Sequence, residues 1–375
     1  MFLNSRRSAY LPSDRDLIGR AHAENVRGYL AQCPAYGATP LMLLEDLAAA
    51  CGLAGVYLKA EWSRMGLSSF KALGGPYAVA LLVQTQASSV LGRPVSPDEL
   101  CTAEVRAIAN AMTVICASAG NHGLAVAAAA GVFGARAVVC LSESVAEYYA
   151  IRLREKGATV MRHGATYEAS MTYARTEAER HGWTLVSDSS WSGYTTVPLS
   201  VMRGYTVMLE EAAETMEATC GPATHVFVQA GVGGLAAAAV GYLRDRWGEG
   251  FKFIVVEPEG APCMLESVRQ GHLLRVTGAP TTLGRLDCKE PSLLAFELLA
   301  HLADAFMLVS DVDADDAARH LFAQGVPVSS CGAAGAAGLI AACNDKATRQ
   351  LLGLDANSHV LLIGTEAAME PTEQQ

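Results

Sequence analysis

One lysine, Lys71, stands between a polar turn and an apolar helix start in the stretch Glu61 to Tyr77, EWSRMGLSSFKALGGPY. A helix N-terminus offers an ammonium no favourable dipole, and partial desolvation lowers its pKa further, so an amine placed there suits Schiff-base chemistry. Taken alone, Ser-Phe-Lys is more often a solvated lysine opening a helix; its companions decide. Ser118-Ala119-Gly120-Asn121-His122-Gly123 lies between a strand and a helix, where ligands of open parallel sheets bind. There Ser118 and Asn121 supply neutral polar groups for a carboxylate or phenolate. The same string also reads as a capped turn, and His122 alone reads as structural. Gln229-Ala230-Gly231-Val232-Gly233-Gly234 again joins a strand to a helix through glycines. It suits a phosphate held by backbone N–H groups, and equally a dinucleotide fingerprint with Glu257 as the ribose acid. Near the C-terminus, Ser330-Cys331-Gly332-Ala333-Ala334-Gly335 reads as a tight helix start, and Ile363-Gly364-Thr365-Glu366 ends the last strand with a hydroxyl.

The elements that must position these residues follow from periodicity. Helices are expected over Leu41 to Cys51, Lys71 to about Gln84 and on to about Ala111, with Ser88 to Pro97 as a turn-rich connector. From there strand and helix alternate. The strands are Thr113–Ala117, Arg136–Leu141, Thr159–Arg162, Thr184–Val186, His225–Gln229, Phe251–Val256, Phe306–Val309 and His359–Ile363. Helices fall between them, including one continuous helix over Pro198–Thr219. This alternation argues for an α/β fold with a parallel sheet covered on both faces.

At 375 residues, with 51% hydrophobic and only 18% charged, the chain predicts a large core, two domains and a homo-oligomer. A net charge of −10 with no long run of Lys or Arg argues against nucleic acid or an anionic membrane as partner. The ten cysteines lack metal-ligand spacing, so no metal site is expected. MFLNSRRSAYLPSDRD holds no apolar segment long enough for a secretion signal, which predicts a cytoplasmic, reduced protein. Leu124 to Leu141 is broken by Gly131, Gly134 and Arg136 into helix, turn and strand, so it does not span a membrane.

Together, in this order, the Ser-Phe-Lys, the Ser-x-Gly-Asn-His loop, the glycine cup and the strand-end threonine resemble the fold-type II family of pyridoxal-phosphate enzymes. The resemblance decides against a dinucleotide, which would leave Lys71 and Asn121 without a purpose. Within the family, three strings look most like the diaminopropionate ammonia-lyases: Lys59 to Gly75, then Ser187-Asp188-Ser189-Ser190-Trp191-Ser192-Gly193-Tyr194 with Pro198 and Arg203-Gly204-Tyr205, and Gly284 to Pro291. The resemblance covers roughly residues 35 to 368.

It implies two open, mostly parallel sheets with helices on both faces and an active site in the cleft between two domains, 1–85 with 190–375 and 86–189. It implies pyridoxal 5'-phosphate held covalently by Lys71. Phe70 and Ala230 would flank the ring, Asn121 would meet its phenolic oxygen, Gly231, Val232, Gly233 and Gly234 its phosphate, and Thr365 its pyridine nitrogen. A neutral hydroxyl there leaves the nitrogen unprotonated, which favours β-elimination. Ser118, Ala119, Gly120 and His122 would bind the substrate carboxylate. Asp188 would bind the distal ammonium of a diamino acid or move protons. The implied reaction converts 2,3-diaminopropionate to pyruvate and ammonia, with threonine or serine dehydration, or elimination from another β-substituted L-amino acid, as the alternative. A remote alternative is a non-catalytic binder of the cofactor. A homodimer is expected. Ala119 departs from the subfamily, which usually has an acid there, and implies restriction to L-substrates or action on a related β-substituted amino acid. Cys263 and Cys288 border the same site and are expected to be free thiols in a reducing cytoplasm.

Overall fold

The computed structural model describes residues 1–118 and 120–368. Its strands are β1 (Phe2–Leu3), β2 (Leu41–Leu43), β3 (Gly55–Ala60), β4 (Thr113–Ala117), β5 (Arg136–Leu141), β6 (Thr159–Arg162), β7 (Thr184–Leu185), β8 (His225–Gln229), β9 (Lys252–Pro258), β10 (Ala305–Val309) and β11 (His359–Gly364). The helices begin with α1 (Pro12–Leu17), α2 (Arg20–Leu30), α3 (Glu45–Cys51), α4 (Lys71–Leu91), α5 (Ala103–Ala109), α6 (Asn121–Phe133), α7 (Glu147–Glu155) and α8 (Tyr167–His181). They continue with α9 (Thr196–Gly204), α10 (Thr206–Thr219), α11 (Gly234–Trp247), α12 (Cys263–Gln270), α13 (Leu293–Leu302), α14 (Asp311–Ala323), α15 (Ser330–Asn344) and α16 (Lys346–Leu352).

Two sheets form. One has seven strands in the order β1-β10-β9-β8-β11-β3-β2, parallel apart from its two edge strands; the other has four parallel strands, β6-β5-β4-β7. The central strands β4 and β8 are buried along their whole length, which is why they read as unbroken apolar runs. No described helix is long and apolar enough to cross a membrane. Among the described residues no group of three or more His, Cys, Asp or Glu could hold a metal ion.

Three expectations need correction. Leu41–Leu43 is an edge strand paired antiparallel with Tyr57–Lys59 rather than helix, because a three-residue apolar run has no period of its own. Helix α4 runs on through Ser88 to Leu91 and stops at Gly92, whose φ of 67° provides the left-handed cap. The helix expected over Pro198–Thr219 is two, α9 and α10, broken at Tyr205 where Gly204 packs against Gly74. A Cβ on Gly204 would stand 2.6 Å from the Gly74 Cα, so the two helices meet backbone to backbone.

Candidate active site

Lys71 is the first residue of α4, as expected. The segment before it is fixed from the far end of the chain. The Phe70 N–H donates to the Thr365 carbonyl (3.0 Å), Ala367 N–H to the Ser68 carbonyl (3.0 Å), and Ser69 bridges Glu366. The strand-end threonine and the lysine are thus neighbours by backbone pairing. Phe70 is buried and packs on Tyr205, their ring centroids 4.8 Å apart, while the Tyr205 ring centre lies 5.5 Å from Lys71 Nζ.

Lys71 Nζ donates to Asp188 Oδ2 over 2.6 Å, both side chains lying deep in the protein yet about one-fifth exposed to the cleft (20% and 18%). Burial alone would lower the lysine's pKa. The Asp188 carboxylate, helped by Tyr205, outweighs it and holds the amine well above a lysine's ordinary value. This overturns the expectation of a lowered lysine pKa for the amine as it stands here. Burial likewise opposes ionisation of Asp188, but the Lys71 ammonium holds its carboxyl well below the usual range.

His122 is turned inward. Its Nε2 bonds the Val186 carbonyl at 2.9 Å, so the neutral ring carries its proton there, and Nδ1 lies 4.0 Å from Asp188 Oδ2. Burial lowers its pKa. Its side chain therefore backs Asp188 rather than reaching out for a substrate carboxylate, which corrects the expected role. Ser118 Oγ accepts from the Gly120 N–H (3.2 Å) and shapes the turn ahead of α6. Ala119 lies outside the described residues. Asn121, the first residue of α6, donates through Nδ2 to Glu366 Oε2 over 2.6 Å.

The Asp188 loop sits against the glycine loop through a pair of serines. Ser190 Oγ and Ser292 Oγ are 2.7 Å apart, and Ser292 N–H donates to the Val232 carbonyl (2.9 Å). At the start of α11, Gly233 has φ 93°, closed to most side chains, and a Cβ on Gly231 would come within 2.9 Å of Cys288 Sγ. Ala230 is buried beside them. Gly231, Gly233 and Gly234 thus let the backbone pack closely at the positive end of α11, where N–H groups suit a phosphate. Cys263 and Cys288 flank this loop as free thiols, and burial pushes the Cys288 thiol up to about 12.

Thr365 Oγ1 accepts from Gln229 Nε2 (3.1 Å), which leaves its own hydroxyl proton to donate elsewhere. Glu257 does not face the glycine loop as a ribose ligand. Its two carboxylate oxygens accept from the Met264 and Leu265 N–H groups (2.8 and 2.7 Å) at the start of α12, and burial pushes its carboxyl up to about 8.

A lysine amine, a carboxylate beside it, a glycine loop at a helix N-terminus and a strand-end hydroxyl donor meet the needs of pyridoxal phosphate. The residue reading passed over four side chains: Tyr205, Gln229, Glu366 and Arg285. All four stand inside strings already singled out: Tyr205 closes Arg203-Gly204-Tyr205, Gln229 opens the glycine loop, Arg285 follows Gly284 and Glu366 adjoins Thr365.

The family described as pyridoxal-phosphate dependent enzyme matches residues 33–364. The diaminopropionate ammonia-lyase of Escherichia coli strain K12 is 33% identical over 363 residues, covering 93% of this chain and 89% of that protein. The crystal structure of the Escherichia coli diaminopropionate ammonia-lyase in complex with D-serine superposes with a TM-score of 0.88 at 30% identity, covering 97% of this chain and 93% of that one. The same enzyme with an aminoacrylate-PLP azomethine reaction intermediate gives a TM-score of 0.87 at 30% identity, covering 97% and 92%.

Proposed function

The chain belongs to the pyridoxal-phosphate-dependent enzymes, and from that premise we propose that it eliminates ammonia from 2,3-diaminopropionate, yielding pyruvate and a second ammonia with uptake of one water. The observation that carries this reading is the 2.6 Å contact of Lys71 Nζ with Asp188 Oδ2 beside the glycine loop. It pairs an amine able to carry the cofactor with an anion able to meet a distal ammonium. The named relatives support the same substrate.

Lys71 would hold the cofactor, Gly231 to Gly234 its phosphate, Thr365 its ring nitrogen and Asn121 its phenolic oxygen, with Phe70 and Ala230 beside the ring. Bound there, pyridoxal phosphate supplies a carbonyl that captures the substrate's α-amine and a conjugated ring that accepts the electron pair left by the α-proton. Lys71 Nζ, once free, takes the α-proton. Asp188 orients the β-ammonium, which departs as neutral ammonia with the C–N electron pair, so no further proton has to be delivered to it. Neutral His122 stands behind Asp188 with its proton committed to the Val186 carbonyl, and Lys71 keeps the carboxylate ionised. The backbone of Ser118 to Asn121, at the head of α6, receives the substrate carboxylate. Ala119 limits turnover to the L-form. With 1–85 and 190–375 as one unit and 86–189 as the other, the cleft would lie between them, and a cytoplasmic homodimer is the expected assembly.

The test is release of pyruvate, 2-oxobutyrate and ammonia by the purified protein with pyridoxal phosphate, given L- and D-diaminopropionate, L-serine and L-threonine. Preferential turnover of L-diaminopropionate, with two ammonia per pyruvate, is expected. Preference for serine or threonine would replace this reading with a dehydratase.

A further inference from the structure

Glu366 is an acid that the chemistry above does not use, although it lies in the middle of the site. It is 4% exposed, and its carboxylate meets three donors from three parts of the chain. Asn121 Nδ2 at the head of α6 stands 2.6 Å from Oε2; Ser329 Oγ, at the cap of α15, and Arg285 Nη1 stand 2.7 and 3.0 Å from Oε1. A buried carboxylate demands such partners, and Arg285 cancels its charge. Ser69, next to Phe70 and Lys71, pairs with the Glu366 backbone, so the acid cannot drift from the lysine.

A carboxylate only accepts hydrogen bonds. The Asn121 amide must therefore turn its nitrogen to Glu366, with the carbonyl on the opposite side. Without that partner the amide could turn over and present its oxygen, which repels a phenolate.

We propose that Glu366 is a positioning residue that sets the amide of Asn121: it engages one Nδ2 proton and leaves the second for the cofactor's phenolic oxygen. This rests on the assignment of Asn121 to that oxygen. Arg285 and Ser329 hold Glu366 in turn, so the orientation is set jointly by the loop before α13, the cap of α15 and the end of β11.

The experiment is a titration of the apoprotein with pyridoxal phosphate, followed by visible absorbance and tryptophan fluorescence, for Asn121→Ala, Glu366→Gln and the double variant. Each single change is expected to weaken cofactor binding by about tenfold, the value of one charge-assisted hydrogen bond. Each should also move the pH midpoint of the bound cofactor's visible band. In the Asn121→Ala background, Glu366→Gln should add little. Fully additive losses, or a band midpoint that Glu366→Gln leaves in place, would overturn the proposal. Should Glu366→Gln fail to fold, Glu366→Asp keeps the charge beside Arg285 while drawing the carboxylate one methylene back from Asn121, and must show the same dependence on Asn121. Unaltered binding in Asn121→Ala would remove both this proposal and the assignment beneath it. Because the readout needs no substrate, a wrong substrate in the proposed function would leave these results unchanged.

Discussion

Asp188 both raises the Lys71 amine and is depressed by it, so substituting it acts on the lysine as well as on any substrate ammonium. In Asp188→Asn the opposing charge is gone and burial prevails, which lowers the Lys71 pKa. Acylation of Lys71 in the apoprotein at pH 8 should then speed up by about tenfold or more, the effect of a shift of at least one unit, as followed by peptide mass spectrometry. An unchanged rate would mean that Asp188 does not govern the amine. The same variant should lose more turnover with diaminopropionate than with serine, because only the former brings a β-ammonium to the vacated carboxylate; equal losses would assign Asp188 to proton handling alone. Lys71→Ala should lose both the yellow absorbance of bound cofactor and all turnover, and a coloured, active variant would sink the assignment. Lys71 and Asp188 were legible because each sat in a distinctive string. Their mutual distance was not, since 117 positions separate them, and the raised lysine pKa depends on that distance.

The element that presents Lys71 is held from behind by a buried cluster of four charges. Arg64 Nη2 meets Glu61 Oε1 at 2.6 Å and Glu211 Oε2 at 2.7 Å, and Lys59 Nζ meets Glu211 Oε2 at 2.6 Å. Burial alone would lower both cations. At Lys59 it prevails, whereas at Arg64 the two carboxylates outweigh it. Burial also opposes ionisation of Glu211, but Arg64 and Lys59 hold its carboxyl below the ordinary range. The contribution of Glu211 is therefore present above the unfolded value, about 4.3, and is lost as pH falls through the lower folded value. Glu211→Ala leaves Lys59 and Arg64 to share Glu61, one buried positive charge uncompensated, and should cost about 3–5 kcal/mol in denaturant unfolding, together with cofactor occupancy, because the loop from Glu61 to Ser69 is less firmly held. A loss under about 1 kcal/mol would show the cluster to be solvated. Lys59, Glu61 and Arg64 lie in one string of the sequence, yet their partner Glu211 is 147 positions beyond Arg64. Local periodicity carries no information across such a span.

At the scale of the molecule, the alternation of strand and helix was legible because strands buried on both faces, such as β4 and β8, are uninterrupted apolar runs. The two-residue β1 and three-residue β2 were not, because edge strands this short are defined by their partners. Periodicity alone gave one parallel sheet; two sheets with a site between them came from the family resemblance. Lys71, Gly231 to Gly234 and Thr365 are carried on the seven-stranded sheet, whereas Asn121 follows β4 and Asp188 follows β7 of the four-stranded one. A ligand bound by both sets ties the sheets together. Pyridoxal phosphate at a hundred times its dissociation constant should therefore stabilise the protein by about 2.7 kcal/mol. The gain should appear in both sheets. Hydrogen exchange of β4 and α6 amides should slow on adding the cofactor, alongside those of β8 and α11, and Lys71→Ala should blunt both effects at the same concentration. If protection grew only in β8 and α11, the ligand would be held by one sheet. Asn121 and Asp188 would then have to reach it through a later closure rather than from where they now stand.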